Sequence, residues 1–118
     1  EVLSHRDDSV RVQLMKTVLN MEIELHRGQN ADICWSEHSL CPTANEYIEM
    51  IDHKTGALFK ACAELGSICS GDADVGKKMC EQFIELGRYF QIRDDLCNIC
   101  DPYYWSQKGF YEDADEGK

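Results

Sequence analysis

No apolar run in this chain approaches the roughly 20 residues needed to cross a bilayer as a helix, so a membrane-spanning segment is excluded from its 118 residues. No charged-then-apolar leader precedes the first polar segment, and no secretory signal is expected in this stretch. Basic residues are scarce, twelve against twenty-two acidic ones, for a formal charge of −10. That sign opposes nucleic acid, whose recognition rests on cationic contacts to phosphate. It leaves room for a phosphorylated small molecule, because divalent cations can bridge a carboxylate-rich site to an anion. There is no disulfide framework either. The seven cysteines are odd in number and scattered through helical-looking sequence, which predicts a reduced, cytoplasmic protein. Internal repeats are absent, and the length allows one domain at most. The chain opens on Glu1 rather than methionine and closes on Glu116-Gly117-Lys118, so both ends are expected to be cuts in a longer protein.

What is present reads as three helices and a tail. The first helix is expected to start near Asp8 or Ser9, with Leu14, Val18, Met21 and Leu25 on one stripe. The same step then reaches Gln29 and Asp32, where a core position turns polar. A buried carboxylate is costly unless paired or bound to a cation, which makes Asp32 a site candidate. The two prolines mark boundaries. Pro42 precedes Thr43-Ala44-Asn45-Glu46, a capping box that opens the second helix. Its stripe runs Tyr47, Ile51, Leu58, Cys62 and Leu65, and Lys54 and Thr55 fill the middle. Gly56 follows, leaving room for a close approach to the backbone. Gly66 and the Ser67–Gly71 stretch are expected to form a loop, with Asp72 or Asp74 capping the third helix. That helix directs Met79, Phe83, Leu86 and Phe90 to the core, while Gly87, Gln91, Asp94, Asp95 and Asn98 line a neighbouring face. Asp101-Pro102 ends it. Tyr103 to Lys118 reads as a loop lying over a site. Each helix therefore has an apolar stripe that turns polar near one end, a pattern suited to a ligand with a charged head and an apolar tail.

The segment Gln91-Ile92-Arg93-Asp94-Asp95-Leu96-Cys97-Asn98 concentrates the chemistry. Asp94 and Asn98 sit one turn apart on one face, and oxygen ligands at that spacing suit Mg²⁺. An Asp-Asp pair alone is common on solvated helix ends, so its company matters. Cys97-Asn98-Ile99-Cys100 has the spacing of a zinc or redox motif, but no second such pair completes a zinc site. The remaining cysteines read as small packing residues. Trp35 reads as an inter-helix packing residue, and Tyr103, Tyr104 and Trp105 as pins for the tail.

In its ordered motifs the chain resembles the trans-isoprenyl diphosphate synthases, and within them the eukaryotic, fungal-type geranylgeranyl diphosphate synthases. The matching pieces are Leu25-His26-Arg27-Gly28-Gln29 with Asp32 and Trp35, Cys41-Pro42-Thr43, Glu46-Tyr47, Lys54-Thr55-Gly56 with Leu58-Phe59, Tyr89 through Asp95, and Glu112-Asp113 with Glu116-Gly117-Lys118. The resemblance implies an all-α helical bundle around a deep apolar cavity, of which residues 1–118 would be the C-terminal portion of a single domain. It implies Mg²⁺ as cofactor, and isopentenyl diphosphate and an allylic diphosphate as substrates, joined by ionisation, condensation and proton loss. On this chain Asp94, Asp95, Asp32, Asn98 and Asp113 would serve the metal. Lys54, Lys108, Lys118 and Gln29 would contact diphosphate, and Lys54, Thr55 and Gln91 would act at the reacting end. Asn98 departs from the family's usual aspartate, and a neutral amide is a poorer Mg²⁺ ligand. The family's first aspartate-rich motif would lie upstream of Glu1, so this stretch alone is expected to be inactive. A homo-oligomer is expected, a dimer or an assembly of dimers. Two alternatives stand beside the enzyme: a non-catalytic regulatory subunit, and the prenyltransferase part of a bifunctional terpene synthase.

Overall fold

Helix follows helix because the chain alternates strong helix formers with a few well-placed stop signals. The computed structural model describes residues 8–108, and among them there is no strand. Helix α1 spans Asp8–His38. Helix α2, Ala44–Ile51, opens on the expected capping box: the Thr43 hydroxyl accepts from the Glu46 amide at 3.3 Å, and the Glu46 carboxylate accepts from the Thr43 amide at 2.7 Å. The Thr43 amide above all, and then the Thr43 hydroxyl, which donates to the same carboxylate oxygen at 2.7 Å, hold Glu46 below the ordinary carboxyl range.

The second helix does not run straight through. A π-helical turn, Asp52–Gly56, separates α2 from α3, Ala57–Ser70. Helical geometry then continues across the expected loop at residues 66–70. It stops only at Gly71, whose φ of 79° is left-handed and whose amide donates to the Ser67 carbonyl at 2.8 Å. The turn is thus shorter than the polar composition of Ser67–Gly71 suggested, because one left-handed residue suffices to end a helix. Asp72 caps α4, Ala73–Cys100, by accepting from the Val75 amide at 3.0 Å. Past Asp101, helix resumes as α5, Pro102–Lys108. A loop was expected from Tyr103 onward. Proline fits the first position of a helix, where no backbone donor is needed, so Pro102 ends one helix and begins the next.

The apolar core is small. Met50, Ile51, Ala61 and Ala63 are its buried members, all on α2 and α3. The stripe expected to bury α4 is turned the other way: Met79, Leu86 and Phe90 are exposed and Phe83 is half-buried. Gly76, Gly87 and Asn98 are the buried residues of α4. On α1, Thr17, Gly28 and Asp32 are buried, while Leu14, Met21 and Leu25 are only half-covered. The radius of gyration is 17.3 Å, against about 13 Å for a compact chain of this size. No helix among the described residues is long and apolar enough to cross a membrane.

Candidate active site

The π-helical turn lies between α1 and α4, and each of its residues is committed to one of them. Toward α1, the Lys54 ammonium meets the Asp32 carboxylate at 2.6 Å, and His53 Nδ1 meets Glu24 Oε2 at 2.6 Å. Between these two ties sits Gly28. A Cβ there would lie 2.2 Å from the Lys54 backbone nitrogen, so only glycine lets the turn approach this closely. Toward α4, Arg88 grips Asp52 with two parallel bonds of 2.6 and 2.7 Å, and the Thr55 hydroxyl donates to Gln91 Oε1 at 2.6 Å. Gly87 is the second close approach, since a Cβ on it would stand 2.9 Å from Gly56 Cα. The Asp52 bonds, more than any other influence, raise the Arg88 guanidinium further above its usual pKa. Glu85 takes a further Arg88 nitrogen at 2.6 Å.

From Thr55 the network runs on into the aspartates. Gln91 Nε2 donates to Asp95 Oδ1 at 2.8 Å, and the Tyr47 hydroxyl donates to Asp95 Oδ2. Both oxygens of Asp95 are thus engaged by protein. Asp94, half-buried, accepts from the Tyr104 hydroxyl of α5. Trp105 Nε1 donates to the Asn98 carbonyl at 2.6 Å, so the aromatic cluster pins α5 along the end of α4. Asn98 itself is 4% exposed.

Of the residues singled out from sequence, Asp32, Lys54, Thr55, Gln91 and Asp95 share this junction, and Asp94 flanks it through α5. Gln29 is exposed on α1, next to the Gly28 approach. Lys108 closes α5, and Asp113 and Lys118 lie outside the described residues. Asp52, His53, Glu24 and Arg88 escaped the sequence reading, as did the polar role of Tyr47, which reads there as an apolar stripe residue. The available signal was spacing: Asp52 and Thr55 are three apart, and so are Arg88 and Gln91, which lets two neighbouring helices be laced at matching intervals.

A cation here would be held by few protein atoms. Among the described residues, no three of histidine, cysteine, aspartate and glutamate gather closely enough to enclose a metal. One or two carboxylates completed by water and ligand oxygens is the habit of Mg²⁺. Asp94 and Asp95, adjacent at the end of α4, are carboxylates of the kind and number that ion uses. All seven cysteines are unbridged thiols, and burial, above all, pushes the Cys80 thiol up and keeps it protonated.

The sequence has named relatives in fungi. It is 45% identical over 86% of its length to quiannulatene synthase of Emericella variicolor. It is 47% identical over 80% to geranylgeranyl pyrophosphate synthase 3 of Zymoseptoria tritici. To bifunctional type I diterpene synthase tndC of Aspergillus flavipes it is 43% identical over 80%. The chain spans only 14%, 26% and 12% of those three proteins. No solved structure matches it significantly. The family model for polyprenyl synthetase matches residues 1–118, the full chain, and with that match the chain belongs to the polyprenyl synthetase family.

Proposed function

We propose that the chain is the C-terminal portion of a single prenyltransferase domain that condenses isopentenyl diphosphate with an allylic diphosphate, extending farnesyl to geranylgeranyl diphosphate. The observation that carries this is the π-helical turn: Lys54 and Thr55 leave it in opposite directions and tie Asp32 of α1 to Gln91 and Asp95 of α4. An ammonium, a hydroxyl, an amide and two carboxylates are thus gathered around one turn. That is the composition a diphosphate headgroup requires.

In this reading Lys54 exchanges Asp32 for the diphosphate, acting as a point charge on phosphate oxygens. Its side chain keeps 23% exposure, so a ligand can reach it. Gln29 and the two tail lysines, Lys108 and Lys118, add contacts to the same group. The C–O bond of the allylic diphosphate breaks with its electron pair leaving on oxygen, the double bond of isopentenyl diphosphate attacks the allylic carbon, and a proton is lost. Thr55 and Gln91 present their dipoles to the developing cation. Asp94 and Asp95, with Asp32, Asn98 and Asp113, would hold Mg²⁺, which would supply positive charge to the leaving diphosphate. Tyr47 and Gln91 fix Asp95, and Tyr104 of α5 holds Asp94.

Identity to a geranylgeranyl pyrophosphate synthase supports the chain-elongating reaction. Identity to a bifunctional diterpene synthase supports a second reading, in which the same domain is one part of a longer terpene synthase. The chemistry of these residues is the same in both. A cytoplasmic homo-oligomer, a dimer or an assembly of dimers, is the form we propose.

The test is prenyl transfer by the full-length protein with Mg²⁺, isopentenyl diphosphate and farnesyl diphosphate, beside Asp94→Ala. A twenty-carbon diphosphate is expected, with the variant slower by roughly 100-fold or more, the scale of losing a group that stabilises leaving-group charge. A folded full-length protein that makes no product from any allylic primer would favour a regulatory subunit instead.

A further inference from the structure

The π-helical turn is held by four side-chain ties, and the proposed ligand would claim two of them. Lys54 leaves Asp32 when it binds diphosphate, and Thr55 is expected to loosen from Gln91 when it meets the reacting end. The other two ties involve neither Lys54 nor Thr55. Asp52 is gripped by Arg88 at 2.6 and 2.7 Å, and His53 meets Glu24 at 2.6 Å. A π-turn is a rare geometry that neighbouring structure must sustain, and it concentrates at functional positions. Some contact has to keep it in place while its working side chains change partners.

We infer that Arg88 and Glu24 are positioning residues, which clamp Asp52 and His53 and so fix the turn that presents Lys54 and Thr55 to the ligand. This rests on the ligand-binding reading of Lys54 and Thr55. The two clamps stand on opposite helices, Glu24 on α1 and Arg88 on α4, one on each side of the turn. Arg88 is suited to the work, because a planar guanidinium meets a carboxylate through two bonds and fixes its angle as well as its distance. Glu85 holds the same guanidinium from behind at 2.6 Å, and Arg27 steadies Glu24 at 3.1 Å. Each clamp is therefore itself oriented by a neighbour one turn away. Neither clamp reaches the reacting groups directly. Both act through the backbone of residues 52–55.

The experiment uses the full-length protein. Arg88→Gln, Asp52→Asn and the double variant are compared by kinetics against each substrate and by amide hydrogen exchange. Arg88→Gln is expected to lower kcat/KM for the allylic diphosphate by roughly tenfold or more, since small misplacements of a binding group have effects of this size. The KM for isopentenyl diphosphate should move by less than about twofold, as should Tm-normalised exchange elsewhere in α1 and α4. Exchange at residues 53–57 should quicken selectively. The double variant should be no worse than the worse single one, because each single change already breaks the pair. Arg88→Lys, which keeps the charge without the fork, should recover only part of the loss. Unchanged allylic kcat/KM would overturn the inference, as would equal losses for both substrates with exchange quickening throughout. If Arg88→Gln does not fold, Glu24→Gln is measured in its place with the same expectations. A wild-type protein that makes no prenyl product would bring down the functional reading alone, because the exchange profile of residues 53–57 still decides whether the clamps fix the turn.

Discussion

Helix α4 carries two faces that treat water in opposite ways. One face holds Gly87, Gln91, Asp94, Asp95 and Asn98, and it is buried or half-buried against the π-helical turn, α2 and α5. The other holds Leu86, Tyr89, Phe90 and Leu96, which are exposed by 47, 65, 52 and 56%. A free-standing domain sorts its residues the other way. The buried polar face is sustained because its side chains answer one another: none of the buried side-chain nitrogen or oxygen atoms among the described residues lacks a hydrogen-bond partner. The exposed apolar face has the character of a surface that further protein covers. Such a surface accords with the proposal that these residues are one portion of a larger domain.

That contrast can be broken most sharply on the apolar side. Leu96→Ala in the full-length protein should cost about 3 kcal/mol in urea unfolding if the face is covered there, the usual size for a core leucine. A change within about 0.5 kcal/mol, as at an ordinary surface, would show the face is open and end the comparison. The polar side depends on backbone proximity, so Gly28→Ala is its test. The added Cβ would have to displace the Lys54 backbone, with an expected loss of about 2 kcal/mol and a weakened hold on the allylic diphosphate. Stability and kinetics unmoved by this change would show that α1 and the turn are not so closely set.

The smallest effect lies at neither face. Thr43→Ala removes the α2 cap and should cost about 1 kcal/mol in the same unfolding assay. The cap also has a pH signature. Glu46 is held below its ordinary value of 4.5, so its contribution is complete above that pH and fades as pH falls through the lower folded value. Thr43→Ala should therefore narrow the stability difference between neutral and acid solution. An identical pH dependence in both proteins would show that the Thr43 hydroxyl does not engage the Glu46 carboxylate.

Local signals were read well from sequence because they act over three or four residues. The Thr43–Glu46 box, the Asp72 cap and the end of α4 at Asp101 all stand as expected. The polar interruption at Lys54 and Thr55 was also visible, and it fell at the junction of α1 and α4. The burial of α4 was misread. An apolar stripe of Met79, Leu86 and Phe90 signals a face that wants cover, and it does not say which neighbour supplies it. The loop expected at Tyr103 failed for a related reason: a proline stops a helix and starts one equally well.

By itself the sequence determined the helical class, the caps and which polar residues interrupt the apolar stripes, since each depends on residue type and short spacing. Only the tertiary structure decided the π-helical turn at Asp52–Gly56, the Asp52–Arg88 and His53–Glu24 clamps, and the engagement of Asp95 by Tyr47. Those contacts join positions from 29 to 48 residues apart, and their partners are chosen by which helix faces meet. Periodicity along one helix carries no record of that choice.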